Sequence, residues 1–390
     1  MIKRPTMDFQ SLNNFNVIMN SISGNFLPMS GEKKGLGFIR STYQIFTWII
    51  ETIYLSSTAI GLLFYVPAMT AVRDGGVSAI VSVEMLILVP YLSSRHDDLR
   101  KLVGKINSIL VDSENLRKCI RDSVEPHKKR LQIYTVITIS VVTMWGSLSM
   151  FELLDQDKHL FTYTDFVIPT YLPGAPFTVN VFFCAVVLQI VGAAYLICKK
   201  SSVDVYISYL ITLLTAEYRY VHEEITKALD EQGEKTEEFV IASLQRCVQH
   251  HCVVIEAGHM LTELMSLNVA VTYINCILRF CFCGFSFVTH PEIHEKALYV
   301  MYTIGTMIQV YMLCLCVQEL LEASTTVTDD AFHKDWYERG NTVKSIFRTM
   351  GLGNRVECRL TAFRIIDLTV PTFGSILNQA YSVCLLLLRV

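Results

Sequence analysis

Seven apolar stretches, each long enough to cross a bilayer, restrict what this chain can fold into more than any other feature. The hydrocarbon core of a membrane needs about 20 mostly apolar residues in a helix. Such stretches lie at about 41–66, 75–93, 131–153, 177–198, 263–287, 297–320 and 365–388. Inside lipid the backbone must satisfy its own hydrogen bonds, and single apolar runs of this length do so as helices. Charged residues make up 18% of the chain, whereas a soluble domain carries about a quarter, and the mean hydropathy is +0.39. We therefore expect an all-α, seven-transmembrane protein in the plasma membrane. Residues 1–40 hold no early apolar core, so no cleavable signal peptide is expected, and the first span would act as an uncleaved anchor.

Charge distribution gives the orientation. The segments 1–40, 94–130, 199–262 and 321–364 carry 5, 10, 6 and 7 Lys and Arg. The alternate segments 67–74, 154–176, 288–296 and 389–390 carry one each. Positive residues collect on the cytosolic side, which puts the N-terminus inside and, after seven spans, the C-terminus outside. The outer loops contain none of the 12 cysteines, and the chain has no Asn-x-Ser/Thr sequon. A net charge of −3 gives no reason to expect a nucleic-acid partner.

The chain divides into a cytosolic N-terminal segment (1–40), spans one to four (41–198), a cytosolic extension of span four with a following helix (199–262), spans five and six (263–320), cytosolic helices (321–364) and the last span (365–390). Val203, Ile207, Leu210, Leu214, Val221 and Ile225 recur at helical spacing, with Glu217, Arg219, Glu223 and Glu224 between them. Leu244, Val248, Val254, Ile255 and Leu261 form a second amphipathic run, and Trp336, Val343, Ile346 and Phe347 a third. A helix with one apolar stripe needs a partner surface, so these segments predict a compact helical assembly under the membrane.

Catalytic and metal chemistry is hard to find. His250, His251 and Cys252 are adjacent on a helix and point in different directions. His222-Glu223-Glu224 lacks the second His that zincins place on the same face. Cys281 and Cys283 have no second pair to complete a zinc site. No Gly-rich phosphate loop and no nucleophile arrangement is visible, so neither an enzyme nor a cofactor is expected.

Polar residues in the spans are more informative. Glu51, Glu84 and Arg279 interrupt the first, second and fifth, while Asp367 and Pro371 fall near the start of the seventh. In the last span Thr369, Thr372, Ser375, Gln379 and Ser382 draw one polar stripe, turning apolar at Val383, Cys384, Leu387 and Leu388. Lipid cannot satisfy those groups. The stripe is either ordinary helix–helix contact or a pore lining closed by a hydrophobic ring. The outer halves of other spans hold Val77, Ile80 and Val81 (second), Met144, Trp145, Leu148 and Phe151 (third), Phe182 and Phe183 (fourth), and Tyr299, Tyr302 and Thr303 (sixth). These are either interfacial belt and core, or the walls of a pocket for a small, weakly polar ligand.

Four local features, in order along the chain, carry a family likeness: Arg95-His96-Asp97-Asp98-Leu99, Pro169-Thr170-Tyr171-Leu172-Pro173, the stretch from Thr325 to Trp336, and Thr372-Phe373-Gly374-Ser375-Ile376-Leu377 followed by Ala380-Tyr381-Ser382. With the chain length and the inverted topology, the sequence resembles an insect odorant receptor over essentially its whole length. It lacks the Thr-Tyr…Gln-Phe ending of the related gustatory receptors. The resemblance implies a ligand-gated, non-selective cation channel built as a heterotetramer with a shared olfactory co-receptor. It also implies a cytosolic helical anchor, a pore lined by the final helix, and a pocket for a small volatile odorant among spans two, three, four and six. Cys384 and Leu387 fall near the family's hydrophobic gate, where Cys384 departs from the usual Val or Leu. Residues 199–262 lack the room for the co-receptor's extended cytosolic segment, which implies an odorant-tuning subunit. A metabotropic seven-helix receptor is the alternative and requires an external N-terminus; a transporter finds no support in internal repeats.

The charge asymmetry makes one cheap prediction. An epitope tag at residue 1 should stain only after cells are permeabilised; staining of intact cells would reverse the topology and favour the metabotropic alternative.

Overall fold

The computed structural model of the chain describes residues 7–32, 37–110, 113–151, 153, 159–230, 236–291 and 293–389, with backbone only at Phe151, Thr164 and His294. Two short helices, α1 (Phe9–Leu12) and α2 (Asn14–Ser23), lead into α3 (Phe38–Phe64), α4 (Ala68–Ser94), α5 (His96–Ile109) and α6 (Glu114–Phe151). They are followed by α7 (Val179–Asp230), α8 (Glu237–Thr289), α9 (Ile293–Thr325), α10 (Asp329–Phe332), α11 (Asn341–Gly353) and α12 (Val370–Leu387). Among the described residues α3, α4, α6, α7, α8, α9 and α12 are long and apolar enough to cross a membrane, and they coincide with the seven stretches read from the sequence. Two minimal hairpins complete the chain: β1 (Leu160–Phe161) pairs antiparallel with β2 (Phe177–Thr178), and β3 (Thr361–Ala362) with β4 (Ile366–Asp367).

The last span is shorter than expected. It begins at Val370 rather than 365, and Asp367 lies in β4 outside it. Pro371 sits in the first turn of α12 instead of breaking it. A first-turn N–H has no intrahelical partner in any case, so proline is tolerated there.

Two helices set the height of the molecule. α7 has 52 residues and α8 has 53, so each runs roughly 80 Å, far beyond a hydrocarbon core of about 30 Å. The expected single apolar stripe on the extension of α7 is too modest. From Lys199 to Tyr218 every residue except Asp204 is buried, because α2, α6, α8 and α9 surround this stretch. Glu217, read from the sequence as part of a polar face, is fully buried and accepts from His250 Nε2 at 2.8 Å. His222 is similarly engaged, with Nε2 3.0 Å from Asp330, and His251 meets the edge of Tyr218. The N-terminal segment also folds onto α7. Phe9 is completely buried against Tyr206, whose hydroxyl donates to the Pro28 carbonyl at 2.8 Å, and Asn25 Nδ2 donates to the Lys199 carbonyl at 3.0 Å.

At the inner end of the fourth span, Lys199 is buried rather than solvated. Its ammonium meets Glu51 of α3 and lies 3.8 Å from the centre of the Trp48 ring. Removing one member of a buried ion pair strands the other charge, at about 3–5 kcal/mol. Lys199→Met should therefore lower the Tm of purified protein, and adding Glu51→Gln should recover most of the loss. An unchanged Tm in the single variant would show that the pair does not stabilise the bundle.

Candidate ligand cavity and last helix

Mostly apolar side chains from six spans line a cavity of about 50 Å³ inside the bundle. α4 contributes Val77, Ser78 and Val81; α6 contributes Tyr134, Ile137, Thr138, Val141, Val142 and Trp145. α7 adds Ala193, Leu196, Ile197 and Lys200, and α9 adds Tyr302, Gly305, Thr306 and Gln309. Arg279 of α8 and Tyr54 of α3 complete the lining. Tyr54 reaches this place because Gly192 lets α3 and α7 touch: a Cβ on Gly192 would lie 2.5 Å from Tyr54 Cβ. Any side chain there would force the two helices apart.

A polar cluster closes one side. Lys200 Nζ lies 2.6 Å from Asp204 and 2.9 Å from Glu84, and Arg279 Nη2 lies 3.8 Å from Glu84. Arg279 Nη1 donates to Gln309 Oε1 at 3.0 Å, and Gln309 Nε2 donates to Asp204 at 2.6 Å. The Tyr134 hydroxyl donates to the same carboxylate at 3.0 Å. Two cations and two carboxylates thus neutralise one another across α4, α7 and α8, with α6 and α9 attached by hydrogen bonds. Charges in a span persist only when paired in this manner.

Of the pocket residues expected from the sequence, Val77, Val81, Trp145 and Tyr302 meet at this cavity, with the Trp145 and Tyr302 rings 6.4 Å apart. The others lie elsewhere. Phe182 stacks on Phe161 at 4.3 Å, within a cap formed by the loop between α6 and α7. That loop is fixed to α3 by Tyr171 N–H donating to the Ser57 carbonyl at 2.8 Å. Gly61 allows the approach, since a Cβ there would meet the Pro169 carbonyl oxygen at 2.5 Å. Tyr299 donates to the Arg73 carbonyl at 3.1 Å beside His290, and Thr303 donates back to the Tyr299 carbonyl at 2.7 Å. Met144 and Phe183 are exposed on the outside of the bundle, Leu148 is half-buried, and Ile80 is buried away from the lining. The side chain of Phe151 lies outside the described residues.

A shallower cavity under the cap shares Tyr54, Val142, Trp145 and Ala193 with the first, and Val167 and Ile168 of the loop line it. Trp145 therefore stands in the wall between the two. The sequence reading missed Tyr54, Tyr134, Lys200 and Gln309, because it weighed outer-half aromatics and treated Glu84 and Arg279 as isolated exceptions. The usable signal was the requirement that each of those charges have a partner on another span.

The last helix is different in kind. Only Ile376 and Ala380 of α12 are buried. Ser375, Asn378, Gln379 and Ser382 are exposed, with Val383, Cys384 and Leu387 half-buried and Leu388 exposed. α12 packs on α8 and α9. Gln379 Nε2 donates to the Tyr273 hydroxyl at 2.9 Å and also to Ser375 Oγ at 3.1 Å. Cys384 faces α8, where a Cβ on Gly284 would be 3.0 Å from its Sγ. A small residue on each side lets the two helices come close at this level.

Comparison with known proteins matches this architecture. The family model described as 7tm odorant receptor covers residues 76–381. Odorant receptor 67a of Drosophila melanogaster is 25% identical over 143 residues, 36% of this chain and 35% of the relative. Odorant receptor 85a of the same species is 24% identical over 155 residues, 40% of this chain and 39% of the relative. The matched segments thus span well under half the length of these curated relatives. The fold resembles the insect olfactory receptor OR5 from Machilis hrabei in complex with eugenol, with a TM-score of 0.83 at 15% identity over 98% of both chains. A second structure of the same receptor gives a TM-score of 0.82 at 15% identity over 97% of this chain and 98% of that one. With seven apolar helices in the shared arrangement and a family match over most of its length, this chain belongs to the 7tm odorant receptor family and is a multi-pass membrane protein.

Proposed function

We propose that the chain is the odorant-sensing subunit of a ligand-gated, non-selective cation channel, assembled as a heterotetramer with an olfactory co-receptor in the plasma membrane. The observation that carries this reading is the exposed polar face of α12. Ser375, Asn378, Gln379 and Ser382 are exposed on a helix that must cross lipid, and lipid offers such groups no hydrogen bonds. Neighbouring subunits around a water-filled pore would satisfy them and pass cations. The apolar outer end, including Leu388, would then close the conduit by dewetting.

A small volatile would bind in the cavity around Trp145 and Tyr302, chiefly by burying apolar area at about 25 cal/mol per Å². The likeness in fold to OR5, which was solved with eugenol, supports a ligand of that size class. Gating requires the ligand to favour the open state, because equal affinity for both states shifts nothing. α8 is a physical link between cavity and pore: Arg279 lines the cavity, and Tyr273 on the same helix holds Gln379 of α12.

Whole-cell recording in cells without olfactory machinery tests the reading, with G-protein signalling blocked. A fast odorant-evoked cation current should require both this chain and the co-receptor. Current from this chain alone would overturn the obligate partnership, and a response abolished by the G-protein block would overturn the channel. Trp145→Ala should raise the half-maximal odorant concentration roughly 10-fold or more at unchanged surface level. An unaltered dose–response would take Trp145 out of the site. Leu388→Asn should wet the closed pore and raise the resting current, and a normal resting conductance would move the gate elsewhere.

A further inference from the structure

The cavity is chemically lopsided. Its charged lining residues, Lys200 and Arg279, are both cations, while the carboxylates that balance them, Glu84 and Asp204, lie behind the lining. The Lys200 ammonium is occupied by both carboxylates. Arg279 spends its two terminal nitrogens on Gln309 Oε1 at 3.0 Å and on Cys276 Sγ at 3.4 Å. Its Nε–H is buried, in a side chain 3% exposed, and has no hydrogen-bond partner among the described residues. A guanidinium only donates and stays charged, so this N–H is a standing demand for an acceptor.

We infer that the cavity selects small apolar volatiles bearing one neutral hydrogen-bond acceptor, a ketone, aldehyde or ester carbonyl, which takes the free N–H of Arg279. The inference rests on the cavity being the odorant site. A hydrocarbon of the same size fits the walls but leaves the donor unpaired. An alkylammonium meets two cations at the lining. A carboxylate adds a fifth charge to four that already sum to zero, and loses its hydration without gaining a counterion. The discrimination expected from one charge-assisted hydrogen bond in a dry site is roughly 10- to 100-fold.

Trp145 lines the cavity, so its fluorescence reports binding directly, without reference to gating. Purified full-length protein would be titrated with alkanes, 2-alkanones and 1-aminoalkanes of six to twelve heavy atoms, with Trp145→Phe protein as the blank. The best ketone should bind at least about 10-fold more tightly than the alkane and the amine of equal length. In Arg279→Lys, which keeps a cation opposite Glu84 but removes the guanidinium N–H, the preference for ketone over alkane should be lost. The wild-type ranking decides the matter however well the Arg279→Lys protein folds. Equal binding of ketone and alkane, or tighter binding of the amine, would overturn the inference while leaving the cavity as the odorant site. If no compound in the series changes Trp145 emission, the cavity is not the odorant site and the inference falls with it.

Discussion

Four ionised groups, three of them buried and Asp204 nearly so, meet in the middle of the helix bundle, and the arrangement of the spans depends on their meeting. Glu84, Lys200, Asp204 and Arg279 come from α4, α7 and α8, and Gln309 and Tyr134 bind α9 and α6 to them. An unpaired charge in such a place carries a desolvation penalty of several kcal/mol. Apolar packing alone is permissive about the rotation and vertical register of a span in lipid, since tails and side chains are equally apolar. Paired charges are not permissive: sliding any of these helices by one turn would strand an ion. The second pair, Glu51 with Lys199, ties α3 to α7 in the same way.

This neutral cluster also explains why a cavity can exist beside it. Polar side chains held by one another cannot collapse into the neighbouring space, and the bulky walls of Tyr54, Trp145 and Tyr302 span the remainder. The result is a site whose walls are apolar and whose base is donor-rich. Its position matters as much as its chemistry. Arg279 belongs at once to the cavity, to the charge cluster and to α8, the helix on which α12 rests. Under the proposed function, a ligand that alters the Arg279 environment would act on the helix that holds the last span through Tyr273 and Gln379.

Below the bilayer, α7 and α8 continue without interruption into a dense bundle with α2 and α9. Burial there is all-round, with Tyr206, Leu210 and Leu214 essentially inaccessible. That bundle is the stiff end of the molecule, whereas α12 touches the rest along one narrow face. A helix so lightly held is suited to shift between arrangements, and the subunit contacts proposed above would cover its exposed polar groups.

The spans and the sidedness were legible in the sequence because both follow from local composition: apolar length fixes what can enter lipid, and the distribution of Lys and Arg fixes which ends stay out. The same holds for the polar stripe of α12, since helical period alone puts Ser375, Gln379 and Ser382 on one face. Partners are another matter. Glu51 and Glu84 are conspicuous in their spans, yet their counterions Lys199 and Lys200 read as the start of the cytosolic extension of span four. Likewise Phe182 and Tyr299 are as aromatic as Trp145 and Tyr302, but only the last two reach the cavity, while Phe182 packs in the cap and Tyr299 sits against Arg73 and His290. Which of several equally apolar faces turn toward one another is decided by interdigitation, by glycines such as Gly192 that permit close approach, and by the pairing of buried charges. Those are relations between residues far apart in the chain, and only the tertiary structure contains them.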